Sequence, residues 1–253
     1  MTTIVVPYHQ DERLPASSLP DDGTVVLDAE LPDGDIWQRL AALDEQVARA
    51  VAASGPVPAV ISGDCLIALG VVAGVQRTGV EPAIVWFDAH GDVHTLDTTT
   101  SGYLGGLALR LVLGAHPELI ADRLGLRPLA ERDALLVGAR DLDPAEVDYL
   151  ALAEIRRCGV EQVNADVLPD GPLVLHVDVD VIDSAELPGL RFPVSGGPSA
   201  AAVVAAARRV LDTGRVVAVD IACPWHPGDR GQNEARASLL TRITDSRLRD
   251  WGP

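Results

Sequence analysis

The chain has 253 residues, of which 47% are hydrophobic and 23% charged, as is usual for a soluble globular protein. Its formal net charge is −17, and all twenty basic residues are arginine. Nucleic acids and anionic membranes bind to basic patches, so this charge argues against both as partners.

Short β-branched runs alternate with amphipathic or alanine-rich segments, a pattern that predicts an α/β fold with helices on both faces of a parallel sheet. We expect one domain covering residues 1–253. In chain order the predicted elements are strand 3–6, strand 24–27, helix 36–51, strand 59–62, helix 66–76, strand 83–88, helix 104–113, strand 135–138, helix 144–157, strand 173–178, helix 199–211, strand 216–221 and helix 234–249.

Potential metal ligands follow three of these strands, at the carboxyl ends where open parallel sheets bind their ligands. They are Asp64 and Cys65 after the first, Asp88, His90 and Asp92 after the second, and Asp178 and Asp180 after the third. Residues two apart in an extended segment point to the same side, so Asp178 and Asp180 are expected to face one ligand together.

The combination of these residues favours a metal site. Carboxylates with an imidazole suit divalent cations. Taken singly, the DxHxD and DxD motifs are equally consistent with solvated acidic loops. Burying five ionisable groups together without a cation would be very costly, so the joint occurrence predicts bound metal.

Four segments are similar, in order and spacing, to the signatures of the arginase-like ureohydrolases: residues 62–65 (SGDC), 88–95 (DAHGDVHT), 98–102 (TTTSG) and 176–183 (HVDVDVID). Residues 138–144 and 219–222 extend the similarity over most of the chain. The resemblance implies a three-layer α/β/α fold with a central, mostly parallel sheet. It also implies a small guanidino-type substrate, two divalent metal ions, usually Mn²⁺, and a homo-oligomer, commonly a trimer or hexamer.

The resemblance also implies a role for each matching residue. One metal would be held by Cys65, Asp88, Asp92 and Asp178, and the other by Asp88, His90, Asp178 and Asp180. Two adjacent ions lower the pKa of a shared water, and Asp92 would orient that water for attack on a trigonal carbon. Thr99 and Ser101 match positions that contact an α-carboxylate, and Asp143 matches an acid near the α-amino group. By composition alone, a threonine- and serine-rich stretch of this kind is more often a simple loop than a ligand site.

Three positions depart from the family pattern. Cys65 replaces a histidine; a thiolate suits zinc or iron better than manganese, unless this cysteine is only a small buried residue. Gly105 replaces the histidine that passes a proton to the departing amine, so that water or His94 substitutes, the leaving group needs no acid, or activity is lost. Cys223 replaces the glutamate that pairs with the substrate's guanidinium, which weakens the case for a plain guanidinium substrate.

Cys65 together with residues 102–106 (GYLGG) resembles the branch that hydrolyses Nω-hydroxy-L-arginine, our leading substrate hypothesis. A hydroxyguanidine is less basic than a guanidine and tolerates the loss of an acidic partner better. The alternative is a catalytically impaired member that acts as a metal-stabilised binding or assembly partner.

Other classes of enzyme and other compartments are disfavoured. No GxGxxG, GxxxxGK[ST] or GxSxG motif is present. Three histidines lie outside the matched ligand positions, and we expect each to have a structural or surface role: His116, His176 and His226. Three cysteines are too few for a disulfide framework, and no targeting pattern or long apolar run occurs, so we expect a cytoplasmic location.

Overall fold

The computed structural model describes residues 2–15, 18–19 and 25–244. Within these residues, ten strands are present: β1 Thr3–Val6, β2 Tyr8–His9, β3 Glu12–Arg13, β4 Val25–Val26, β5 Ala59–Ser62, β6 Ala83–Phe87, β7 Ala134–Val137, β8 Arg156–Cys158, β9 Leu173–Asp178 and β10 Val216–Ala222. Eight of them form one parallel sheet in the order β4-β1-β5-β10-β9-β6-β7-β8, and β2 and β3 form a small antiparallel hairpin.

Seven α-helices lie in the same described segments: α1 Ile36–Ala53, α2 Ala68–Arg77, α3 Ala108–Val112, α4 Ala121–Leu124, α5 Pro144–Leu152, α6 Ala200–Leu211 and α7 Arg230–Thr244. The longest, α1, begins where Asp35 accepts a hydrogen bond from the backbone N–H of Gln38 at 2.9 Å. The helix α6 begins in the same way, at Ser199. None of the described helices has the length and apolar composition that crossing a bilayer requires.

The central sheet buries both of its faces, because successive side chains of a strand point in opposite directions. On β6, Ile84 and Trp86 belong to the core shared with α1 to α5, whereas Val85 and Phe87 belong to the core shared with α6 and α7. The predicted three-layer α/β/α architecture is therefore confirmed.

Most predicted elements have the expected place. Strands 3–6, 59–62 and 173–178 agree at both ends, and strands 83–88, 135–138 and 216–221 agree within one residue. Helices 66–76 and 104–113 each begin as a 3₁₀ turn, Cys65–Ile67 and Gly105–Leu107, before becoming α-helical. Position 24 of the predicted strand 24–27 and positions 245–249 of the predicted helix 234–249 lie outside the described residues.

The predicted helix 144–157 is wrong in its second half. The helix ends at Leu152, Ala153 is extended, and Arg156–Cys158 forms the edge strand β8 beside β7. Arg156 and Arg157 are exposed, so this strand has no apolar run that would have marked it in the sequence.

The strand order places three chemically rich strand ends close together. β9 lies between β10 and β6, and β10 in turn separates β9 from β5. Because these strands are parallel, their carboxyl ends meet at one edge of the sheet, near the points where the strand order changes direction.

Candidate metal centre

Local turns direct the predicted ligands inward at this edge. After β5, Asp64 accepts a hydrogen bond from the backbone N–H of Leu66 at 2.9 Å, which starts the 3₁₀ turn containing Cys65. After β9, Asp178 caps a second 3₁₀ turn by accepting from the backbone N–H of Asp180 at 2.8 Å. The expected extended geometry between Asp178 and Asp180 is therefore wrong, and a turn positions both carboxylates instead.

These strand ends border a cavity of about 190 Å³. Eight of the predicted site residues line it: Cys65, His90, Asp92, His94, Ser101, Asp143, Asp178 and Asp180. Asp88 is buried behind them, with its Oδ1 atom 3.3 Å from Nδ1 of His90. The described lining residues do not include Thr99, whose hydroxyl accepts from the N–H of Gly102, or the fully buried Cys223.

One imidazole lies between two buried carboxylates. Nδ1 of His90 is 3.1 Å from Oδ2 of Asp180 and 3.3 Å from Oδ1 of Asp88. Burial alone would lower the pKa of His90, but these two carboxylates raise it to about 12. Burial, together with Asp88, raises the pKa of Asp180 to about 6, against the opposing effect of His90. These three residues place ligand atoms within 4.8 Å of one another.

Two further buried carboxylates, those of Asp92 and Asp178, repel their acidic neighbours. Burial, followed by repulsion from neighbouring carboxylates, raises the pKa values of Asp92 and Asp178 well above the ordinary range. Asp92 also adopts a positive φ of 52°, and its Oδ2 atom is buried with no hydrogen-bond partner among the described residues. One imidazole cannot neutralise four buried carboxylates. A divalent cation would supply the missing positive charge, and these side chains are suitable ligands for it.

Cys65 is oriented toward the same carboxylates. Its thiol donates to Oδ2 of Asp178 at 2.9 Å, which supports the predicted proximity of the two residues. Burial, with the charge of Asp178, raises the pKa of the Cys65 thiol well above its usual value. The thiol is therefore protonated in the metal-free protein, and binding to a metal would require loss of that proton.

A second polar group lies on the wall of the cavity. Nε2 of His94 is 3.1 Å from Oδ2 of Asp143, and its Nδ1 is 3.1 Å from Oγ1 of Thr98. Asp143 is the N-cap of α5, and its backbone N–H donates to Glu146 at 3.1 Å. The ring of His94 is thereby held by partners on both nitrogens.

The structure adds cavity residues that sequence reasoning did not predict as site residues: Tyr103, Gly106, Asp141, Glu146 and Phe192. The hydroxyl of Tyr103 donates to Oδ2 of Asp64 at 2.9 Å, and its ring centroid is 4.4 Å from that of Phe192. Phe192 belongs to an irregular segment between β9 and α6, where no periodicity could have indicated its direction.

His176 is also closer to the site than predicted. It is fully buried, and together with Cys65 and Asp88 it forms a second group whose ligand atoms lie within 4.8 Å of one another. His176 and Asp178 are two residues apart on β9, and residues at this spacing point to the same face of a sheet. This spacing was the signal that could have placed His176 near the site.

Comparisons with known proteins agree with this geometry. A family model described as Arginase family matches residues 7–243. An arginase of Eremothecium gossypii is 33% identical over 189 residues, 68% of this chain and 47% of that protein. An arginase of Bacillus subtilis is 34% identical over 156 residues, 56% of this chain and 52% of that protein. The matched region thus spans about half the length of these curated relatives.

The fold is shared with solved arginases. The crystal structure of arginase from Bacillus cereus superposes with a TM-score of 0.79 at 22% sequence identity, covering 98% of this chain and 99% of that one.

Proposed function

The chain belongs to the arginase family, and on that basis we propose that it is a metal-dependent hydrolase of a linear C–N bond in a guanidino or hydroxyguanidino amino acid. The observation that carries this proposal is the convergence of buried carboxylates and one imidazole on a single cavity. A cavity of about 190 Å³ suits a small, polar substrate.

We assign two divalent cations, of the Mn²⁺ type, to this cavity. Asp88, His90, Asp178 and Asp180 would hold one, and Cys65, Asp88, Asp92 and Asp178 the other. When bound, such a pair of ions acidifies a water molecule and polarises the substrate. The ions would also neutralise the repulsion that raises the pKa values of Asp92 and Asp178.

The residues of the chain would position and move protons. The Oδ2 atom of Asp92 has no hydrogen-bond partner within the described part of the chain and is available to accept a hydrogen bond from the attacking water. With Gly105 lacking a side chain, His94 is the imidazole on the cavity wall that can exchange a proton with the leaving nitrogen. Asp143 keeps the ring in place at 3.1 Å.

The substrate assignment follows from what borders the cavity. Ser101 and Asp143 line it and can accept an α-amino acid tail, and Thr99 lies on the same loop. Cys223 supplies no carboxylate for a guanidinium and is fully buried. A less basic hydroxyguanidine, as in Nω-hydroxy-L-arginine, therefore fits better than arginine or agmatine.

The experiment is a metal analysis of the purified protein, followed by assays for urea, hydroxyurea and ammonia with a panel of guanidino compounds. We expect up to two metal ions per chain and faster release of hydroxyurea from Nω-hydroxy-L-arginine than of urea from arginine. The Asp180→Asn variant, which keeps the shape of the site, should lose at least about 100-fold in kcat because a ligand is lost.

Cys65→His is the informative exchange. An imidazole at position 65 should increase Mn²⁺ affinity and shift the preference toward arginine, since imidazole replaces a soft thiolate. Unchanged metal content and unchanged turnover in the Cys65→His variant would show that Cys65 is not a ligand.

A non-catalytic binding or assembly role is the second candidate, favoured by Gly105 and Cys223. Stoichiometric metal without product from any amidine would support it and contradict the hydrolase. A single domain over residues 1–253, a cytoplasmic location and a trimeric or hexameric assembly remain predictions.

A further inference from the structure

One buried histidine next to the proposed metal centre has no part in the proposed reaction. His176 lies within β9, where its register partners are Trp86 on β6 and Asp220 on β10. It shares a face of the sheet with Asp178, two residues further along the strand. Its exposed fraction is 0%. A histidine enclosed in this way needs a partner for each ring nitrogen.

One of the two ring nitrogens has a partner. Nδ1 of His176 lies 2.7 Å from Oδ2 of Asp220, and since a carboxylate accepts, Nδ1 carries the hydrogen. The ring also stacks on Trp86, with centroids 3.6 Å apart and planes inclined by 19°. These contacts fix both the orientation and the tautomer of the imidazole. A metal-binding histidine typically has this arrangement, with its second nitrogen bonded to a carboxylate.

The other ring nitrogen of His176, Nε2, is buried and makes no hydrogen bond to any described residue. His176, Cys65 and Asp88 each offer a ligand atom within 4.8 Å of those of the other two residues. The indole N–H of Trp86 donates to Oδ2 of Asp88 at 3.0 Å, which fixes this carboxylate as well. A buried ring nitrogen left without a hydrogen bond, on a histidine grouped with a thiol and a carboxylate, suits a cation.

We propose that His176 is a metal ligand and forms, with Cys65 and Asp88, a binding site for Zn²⁺. Thiolate, imidazole and carboxylate are the three ligand types that Zn²⁺ takes in proteins. His176 on β9 would thus provide the imidazole ligand that the family pattern places at position 65. The inference rests on the proposed function, because it specifies one half of the proposed metal pair and assigns Zn²⁺ in place of Mn²⁺ to that half.

The two halves of the centre then differ in character. Asp88 belongs both to this group and to the group with His90 and Asp180. The latter group contains no sulfur and suits a harder ion such as Mn²⁺. Binding at the Cys65 half would release the thiol proton that is now donated to Asp178.

The test uses the full chain, stripped of metal and reloaded with one equivalent of Zn²⁺. X-ray absorption at the zinc edge counts sulfur and imidazole ligands directly. We expect one sulfur and one imidazole in the wild type. We expect the same in the His90→Asn variant, because His176 remains.

His176→Asn is the matching substitution, because the amide of asparagine can donate to Asp220 in place of Nδ1 but offers no counterpart of Nε2. We expect the imidazole signal to disappear, the sulfur signal to persist, and the affinity for Zn²⁺ to fall at least about 100-fold in competition with a chelator. His116→Asn is the control. His116 lies outside the cavity at a positive φ of 46°, which asparagine tolerates, and its loss should change nothing.

An imidazole signal that is lost in His90→Asn and kept in His176→Asn would assign the ligand to His90 and overturn the inference alone. Should His176→Asn fail to fold by circular dichroism, the wild type and His90→Asn still decide the question between them. A wild-type protein that binds neither Zn²⁺ nor Mn²⁺ would overturn the proposed function together with this site.

Discussion

Gly105 and Tyr103 compete for one small volume beside the cavity. A Cβ atom added at position 105 would lie 2.5 Å from ring atoms of Tyr103, so the tyrosine side chain or the backbone at 105 would have to shift. The hydroxyl of Tyr103 is in turn fixed by Asp64 at 2.9 Å. The residue at position 105 therefore depends on Tyr103: while the tyrosine ring occupies this volume, position 105 has room only for glycine.

Restoring a histidine at position 105 should consequently fail unless Tyr103 is also replaced. Gly105→His alone should lower the melting temperature and abolish turnover, because the imidazole and the tyrosine ring cannot both fit. The double variant Tyr103→Asn/Gly105→His should fold normally and increase kcat for arginine by about 100-fold, the usual contribution of a general acid.

The matched control for this pair is Gly105→Ala, which introduces the steric conflict without an imidazole. Equal melting temperatures for the wild type, Gly105→Ala and Gly105→His would contradict the proposed competition. Thermal unfolding and steady-state kinetics on the four proteins are sufficient to decide.

At the scale of secondary-structure elements, α1 and α2 pack closely around the buried side chain of Asp44. Oδ1 of Asp44 accepts from the backbone N–H of Gly70 at 3.2 Å, while its Oδ2 has no partner among the described residues. A Cβ at position 70 would lie 2.7 Å from the carbonyl oxygen of Asp44, so glycine is needed for this approach. Burial raises the pKa of Asp44 well above 3.8.

Asp44 should therefore make stability depend on pH. A carboxyl with a raised pKa in the folded state contributes stability that is complete below its unfolded value of 3.8 and is lost as the pH rises through the raised value. The Asp44→Asn variant keeps the acceptor for Gly70 but cannot ionise. Its free energy of unfolding, from urea titrations between pH 4 and pH 8, should exceed that of the wild type by an amount that grows with pH. A constant difference would show that Asp44 does not titrate in this range.

The elements that the sequence predicted well are those with a strong local signal. Strand 173–178 was predicted at both ends because all six of its residues are buried in an apolar run that ends in acids. The edge strand Arg156–Cys158 was missed because its exposed arginines look like a helix end. The pairing of this strand is decided by β7, which is distant in sequence.

The site residues that belong to sequence motifs were predictable, whereas those placed only by the fold were not. Motifs at strand ends indicated Asp88, His90 and Asp180, because parallel strands must bring their carboxyl ends to one edge. The position of His176 beside Cys65 was not predictable, since it depends on the order of β5, β10 and β9 in the sheet. The cavity contact of Phe192 likewise arises only from the folded loop.

At the scale of the whole molecule, the clustered carboxylates should couple stability to metal and pH. In the metal-free protein, the pKa of Asp180 is raised from 3.8 to about 6, so its contribution is present below pH 3.8 and is lost as the pH rises through about 6. His90, with its pKa raised from 6.5 to about 12, acts in the same direction, since its contribution starts to decline above pH 6.5.

We therefore expect the metal-free protein to lose stability between pH 5 and pH 8, and Mn²⁺ to reverse this trend. Deprotonated carboxylates bind the cation, so the rise in melting temperature caused by Mn²⁺ should increase over the same range. Differential scanning calorimetry with and without Mn²⁺ measures this, with Mg²⁺ as a control for ionic strength. A metal-free protein that becomes steadily more stable toward pH 8 would contradict the assignment.

The most direct test of the metal centre is an anomalous difference map from a crystal grown with excess Mn²⁺. We predict two peaks in the cavity, one beside His90 and Asp180 and the other beside Cys65 and Asp178. A map without peaks in the cavity, at a wavelength where Mn²⁺ scatters strongly, would contradict the account.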